Sequence, residues 1–257
     1  MPRQIAVLNQ KGGVGKTTVT LGLASAAWMR GVRTLVVDLD AQANATWSLG
    51  VNPSSDNLGT GDALTANKEG AAADMIVPSG WGDTVWLLPA GGDLTERETD
   101  VRRTDPELRL AKALKGVVDD FDLVLIDCAP SLGLNTINGL ATADGALVIV
   151  EPTVFGVRGV EPVIDLVEDV WDRFNRRLDL AGVVLNRLPA RSRDAETHRR
   201  ALSRMVGAKA VLKPALPNRV IVNEAHTDRS PLHSFGSRAA DLTTVFDRHL
   251  GLLLAEG

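Results

Sequence analysis

The chain has 257 residues, a formal net charge of -4 and a single cysteine. That length can bury the core of one large α/β domain, and residues 1–257 are read as a single domain. The charge argues against whole-surface attraction to nucleic acid or anionic lipid and leaves such partners to local basic patches; one thiol excludes an intrachain disulfide framework and suits a reducing cytoplasm.

In chain order, Ile5-Ala6-Val7-Leu8 is an apolar run that reads as a buried strand, and an Ala- and Leu-rich pattern over residues 17–30 reads as a helix. Between them lies Gln10-Lys11-Gly12-Gly13-Val14-Gly15-Lys16-Thr17-Thr18. Glycines let the backbone turn with its N–H groups inward, and the helix start adds partial positive charge, so this segment is a phosphate cradle. Lys16 is placed to reach β- and γ-phosphates and the Thr17 hydroxyl to ligand Mg²⁺.

A second apolar run, residues 34–37, ends in Asp38-Leu39-Asp40 at the same sheet edge as the cradle. Two carboxylates there can serve hydrolysis, although Asp-x-Asp after a strand is also an ordinary loop cap. Residues 52–61 and 91–104 are rich in turn formers and charge and read as surface loops, with a strand at 85–88 between them. A helix is expected over 106–118, with Asp105 as N-cap and Pro106 at its first position. The run at 123–126 delivers Asp127, in the form of a metal-holding strand end. Cys128 reads as a small buried filler.

Helices are further expected at 134–143, 159–174, 194–206 and near 237–253, with strands at 146–150 and 183–185. Continuous apolar strands alternating with helices indicate a doubly wound, mostly parallel α/β sheet covered on both faces. Such folds bind ligands beyond the carboxyl ends of their strands. No apolar stretch approaches the roughly 18 to 20 residues of a membrane span, and the four histidines are too dispersed to suggest a metal cluster.

With Gln10 in place of the first glycine of the usual phosphate loop and Lys11 at its front, the segment resembles the deviant P-loop of the ParA/MinD family of dimerising ATPases. The resemblance implies ATP and Mg²⁺ as cofactors, with Gly12, Gly13, Val14, Gly15, Lys16, Thr17 and Thr18 around the phosphates. It implies that Lys11 reaches across a homodimer interface to the partner's nucleotide, that Asp40 acts on the attacking water, and that Asp38 and Asp127 support the metal with Thr17. Ala41 and Ala43 stand where the family usually has proline and glycine.

The later segments Asp127-Cys128-Ala129-Pro130-Ser131, Glu151-Pro152-Thr153, Asn186-Arg187 and Pro217-Asn218-Arg219-Val220 follow the ParA branch in order. By that resemblance Asn186, Pro217 and Arg219 lie near the base. The branch implies a cytoplasmic, nucleoid-associated ATPase whose ATP dimer binds non-specific DNA and meets a ParB-like or other adaptor. Arg187, Arg191, Arg193 and Arg219 are the DNA-binding candidates; for Arg199 and Arg200 a solvated helix face is an equal reading. The tail from Leu250 to Gly257 carries no lysine or arginine, so it is expected to pack rather than anchor to membrane. The rival readings are a MinD-like membrane-associated regulator and a metabolic P-loop enzyme.

Overall fold

The computed structural model describes residues 2–53, 58–92, 94–98, 104–189 and 193–255. The elements run β1 (Arg3–Leu8), α1 (Lys16–Met29), β2 (Thr34–Asp38), α2 (Asn44–Ser48), α3 (Thr60–Ala66), β3 (Val77–Ser79), β4 (Gly82–Leu88), α4 (Leu94–Arg97) and α5 (Arg109–Leu114). They continue through β5 (Leu123–Asp127), α6 (Leu134–Thr142), β6 (Gly145–Val150), α7 (Val154–Arg158), α8 (Glu161–Arg173), β7 (Asp179–Leu185), α9 (Arg193–Val206), α10 (Ile221–Thr227) and α11 (Ala240–Ala255).

Side chains of a strand alternate between faces, so a run that is apolar throughout needs cover on both sides. Ala6 and Leu8 of β1 join one buried cluster and Ile5 and Val7 the other. β5 divides likewise, Val124 and Ile126 against Leu123 and Leu125. Helices α5, α6 and α8 cover the first face; α1, α10 and α11 cover the second. The sheet order is β3-β4-β2-β5-β1-β6-β7, parallel except for the β3–β4 edge pair. β1 lies between β5 and β6, where the strand order reverses, and the loop after it opens onto the crevice that such a reversal creates.

The expected tail packing is observed. Leu242, Val245, Phe246, Leu250 and Leu253 of α11 are buried, and α11 lies against α1 so closely that a Cβ on Gly22 would come within 2.2 Å of the Phe246 ring. Among the described residues no helix is long and apolar enough to cross a membrane.

Other local expectations are corrected. The helix expected over 106–118 is a 3-10 turn at Pro106–Leu108 followed by the short α5. Asn138 of α6 explains the break, since its amide donates to Pro106 O at 2.8 Å and accepts Leu110 N–H at 3.0 Å. Asp105 does not cap by its side chain; its carboxylate meets Lys112 Nζ at 3.2 Å. The stretches read as loops contain the start of α3 and α4, and edge strand β3 has no counterpart among the expected elements. The helix expected from 159 begins at Glu161, with Pro162 in its first turn, after the separate α7 that Thr153 caps through Gly156 N–H.

His249 is fully buried on α11, with Nε2 2.9 Å from Pro214 O. A carbonyl only accepts, so Nε2 carries the proton of a neutral ring. Burial pushes its pKa down from 6.5 to about 4. The unfolded chain therefore takes up this proton first as pH falls, so the stabilisation is complete above pH 6.5 and is lost as pH falls from 6.5 to about 4. Denaturant unfolding should show a loss of about 2–3 kcal/mol from this group by pH 4.5, and His249→Gln should flatten that part of the slope.

Candidate functional site

The loop after β1 is held in shape by two asparagines. Asn9 accepts Lys11 N–H at 2.8 Å and donates to Ile149 O at 2.6 Å, tying the loop's front to β6. Asn186, just past β7, donates to Val14 O at 2.7 Å and grips its rear. Gly15 passes so near that amide that a Cβ would lie 2.2 Å from Asn186 Nδ2, and its φ of +93 favours glycine independently.

An open pocket of about 250 Å³ lies over this loop, lined by Gly12, Gly13, Gly15, Lys16, Thr17, Thr18, Asp40 and Arg187 among others. Lys16 is 6% exposed, and Nζ donates to Lys11 O at 3.3 Å. Burial lowers its pKa, opposed by the charges of Asp127 and Asp40. An ammonium so placed has little water around it and is ready for an anion. Val14 is buried beneath the loop and contributes backbone rather than side chain.

The three aspartates occupy different places. Asp127, at the end of β5, accepts the Thr17 hydroxyl at 2.7 Å and the Thr20 hydroxyl at 3.1 Å. Burial drives its carboxyl well above the usual range, and the charge of Asp38 adds to that. A hydroxyl and a carboxylate converging beside the loop pocket form a donor set suited to Mg²⁺, whose charge would reverse the carboxylate's upward shift. Asp40 lines the pocket while its Oδ1 accepts Gln42 N–H at 2.9 Å.

Asp38 does different work. Its Oδ2 accepts the Thr46 N–H at 2.8 Å and hydroxyl at 2.7 Å, and its Oδ1 accepts Asp40 N–H at 3.1 Å. It is fully buried and outside the pocket lining, with burial raising its pKa. Asp38 thus shapes the loop that carries Asp40. Within that loop Ala43 holds φ +53, a left-handed conformation that costs a residue with a Cβ roughly 1 kcal/mol. Cys128 is buried behind the site, its thiol pushed up by burial and by Asp127, consistent with a filler.

The segment after α9 runs beside β7, with Leu212 N–H donating to Val183 O, Leu216 N–H to Leu185 O and Leu188 N–H to Leu216 O. Those bonds bring Pro217 alongside Asn186-Arg187-Leu188. Pro217 and Arg219 are nevertheless absent from the lining of the loop pocket, and Arg219 turns to Asp241 of α11 at 2.5 Å.

The basic residues are mostly paired. Arg187 meets Glu151 at 2.9 Å. Arg199 and Arg200 both bond Glu196, which holds that carboxyl down to about 2. Arg191 lies outside the described residues, and Arg193 opens α9. Arg204, Lys209 and Lys213 are exposed, with no ion-pair partner among the described residues.

Sequence reasoning missed Asn9, Thr20 and Thr46, and named Glu151 only as part of a motif, without its contacts. Asn9 carried a signal of its own, an amide where an apolar strand meets a glycine loop. Thr20 and Glu151 act through contacts distant in sequence, and Thr46 through Asp38 in the preceding strand.

A family model described as an AAA domain matches residues 2–180. The sporulation initiation inhibitor protein Soj of Bacillus subtilis is 31% identical over 248 residues, covering 96% of each chain. An uncharacterized protein of Mycobacterium tuberculosis strain H37Rv is 40% identical over 189 residues, 73% of this chain, and the chain spans 59% of that relative's length. Among solved structures, cobyrinic acid a,c-diamide synthase from Mycobacterium smegmatis with bound ADP and magnesium matches with a TM-score of 0.80 at 31% identity, covering 96% of this chain and 93% of that one.

Proposed function

The chain belongs to the ParA/Soj family of P-loop ATPases, and from that premise we propose that it is a cytoplasmic ATPase that dimerises on ATP, binds DNA without sequence preference in that state, and positions a cargo through an adaptor protein. The observation that carries this reading is the conjunction of buried Lys16, the Thr17–Asp127 pair and Asp40 around one pocket. The M. smegmatis neighbour holds ADP and magnesium, which supports the same pair of ligands here.

In this reading the backbone N–H groups of Gly12 to Thr18 cradle the phosphates, and Lys16 meets the β- and γ-oxygens. Thr17 and Asp127 hold Mg²⁺, which neutralises charge on the transferring phosphoryl group. Asp40 orients the attacking water, and Asp38 sets Asp40's position. Asn186 and Pro217 border the base, and Arg219 can join them only by leaving Asp241. Lys11 completes the partner's site. The short α7 carries Val154 and the 75% exposed Phe155, apolar area that a partner subunit could cover.

DNA contacts fall to Arg187, Arg191, Arg193 and Arg219, joined by Arg204, Lys209 and Lys213. Ion pairs at Arg187, Arg199, Arg200 and Arg219 reduce the patch on one subunit, so a dimer that doubles it suits ATP-gated binding. The name of the M. smegmatis neighbour favours a second reading, ATP-driven activation of a carboxylate for amidation. Cys128, buried and with its thiol pushed up, cannot serve as a thiolate that releases ammonia from an amide donor.

Retention on non-specific duplex DNA with ATP, ADP or no nucleotide, across a salt series, tests the proposal. Binding should require ATP and weaken steeply with salt. Equal binding in all three states, or none at low salt with ATP, would remove the DNA role.

A further inference from the structure

Glu151 follows β6 and faces two cations that converge from different parts of the chain. Arg187 Nη1 bonds its Oε1 at 2.9 Å and Lys11 Nζ lies 3.8 Å from its Oε2. Its side chain is 19% exposed, against 49% for Arg187 and 46% for Lys11, so the carboxylate is the fixed member and the cations are the mobile ones. The backbone around it is pinned: Asn186 N–H donates to Val150 O at 2.8 Å and Thr153 N–H to Glu151 O at 2.7 Å. Asn9 fastens Lys11 N–H to the same strand end through Ile149 O.

We propose that Glu151 is a positioning residue that parks Lys11 and Arg187 near the mouth of the phosphate pocket until nucleotide arrives, Arg187 then passing to the phosphates of its own subunit's nucleotide and Lys11 to those of the partner's. Arg187 already lines that pocket. One carboxylate cannot neutralise two cations, so the cluster keeps a net positive charge, and a triphosphate offers both a stronger counter-ion. Half-exposed ion pairs are weak, which makes the parked state easy to leave. The cost of unparking subtracts from nucleotide affinity, and the parked geometry keeps Lys11 from a partner subunit before ATP is bound. This inference rests on the reading of the Lys16 loop as a nucleoside triphosphate site.

Titration of the full chain with a fluorescent, non-hydrolysable ATP analogue and Mg²⁺ tests it. Glu151→Gln keeps the shape and removes the charge; it should bind the analogue about threefold to tenfold more tightly at low salt, with the gap closing as salt rises. In a Lys11→Gln, Arg187→Gln background the same substitution should change affinity by less than about twofold, because the cycle isolates what passes through the two cations. Unchanged or weaker binding by Glu151→Gln overturns the proposal, as does an equal gain in the doubly substituted background, which would mark a general field effect. Lys16→Ala serves as the separate control: if it binds the analogue as wild type does, the nucleotide-site reading fails instead.

Discussion

Lys16→Ala is expected to weaken ATP binding about a hundredfold, a loss of about 3 kcal/mol. The ammonium is the buried cation that faces both Asp127 and Asp40. Its removal leaves Asp40 in the pocket lining without that cation, so the loss exceeds that of one exposed contact. Isothermal titration with ATP and Mg²⁺ measures it, and an unchanged circular dichroism spectrum separates it from unfolding. Affinity within about threefold of wild type would place the phosphates elsewhere.

Asp40→Ala should act on the other half of the cycle. A carboxylate that orients or deprotonates the attacking water contributes about 10²–10⁴ in rate, while the proposed phosphate contacts fall to Lys16 and the loop backbone. Single-turnover hydrolysis should fall by at least about a hundredfold, with ATP affinity within about threefold of wild type. Asp40's remaining bond is local, from Gln42 N–H at 2.9 Å, so its loss should leave the fold intact. Hydrolysis at the wild-type rate would transfer the water-positioning role to another group.

Strand and phosphate-loop positions were legible because they depend on local patterning. Short uninterrupted apolar runs such as 123–126, rich in branched residues and bounded by polar ones, suit strands covered on both faces, and the glycines around Lys16 admit few backbone paths. The ParA-branch motifs were also legible as resemblance. What escaped depended on side-chain partners that backbone patterning does not reveal. Asn138 breaks the helix expected at 106–118 by bonding Pro106 and Leu110, and nothing near residue 106 announces it. The different placements of Asp38 and Asp40 were equally hidden, since Thr46 occupies Asp38 while Asp40 lies at the pocket. Charge counting in the basic region likewise overlooked Glu196, which Arg199 and Arg200 share, and Asp241, which pairs with Arg219.

The proposed dimerisation on ATP would link Lys11, the Lys16 pocket and a doubled basic patch, so it is the centre of the account. Its most direct test is the solution mass of Asp40→Ala, measured by light scattering with saturating ATP and Mg²⁺ and again with ADP. The account predicts twice the 27.4 kDa chain mass with ATP and the single-chain mass with ADP. A single-chain mass with ATP bound, or the same dimer with either nucleotide, would contradict it.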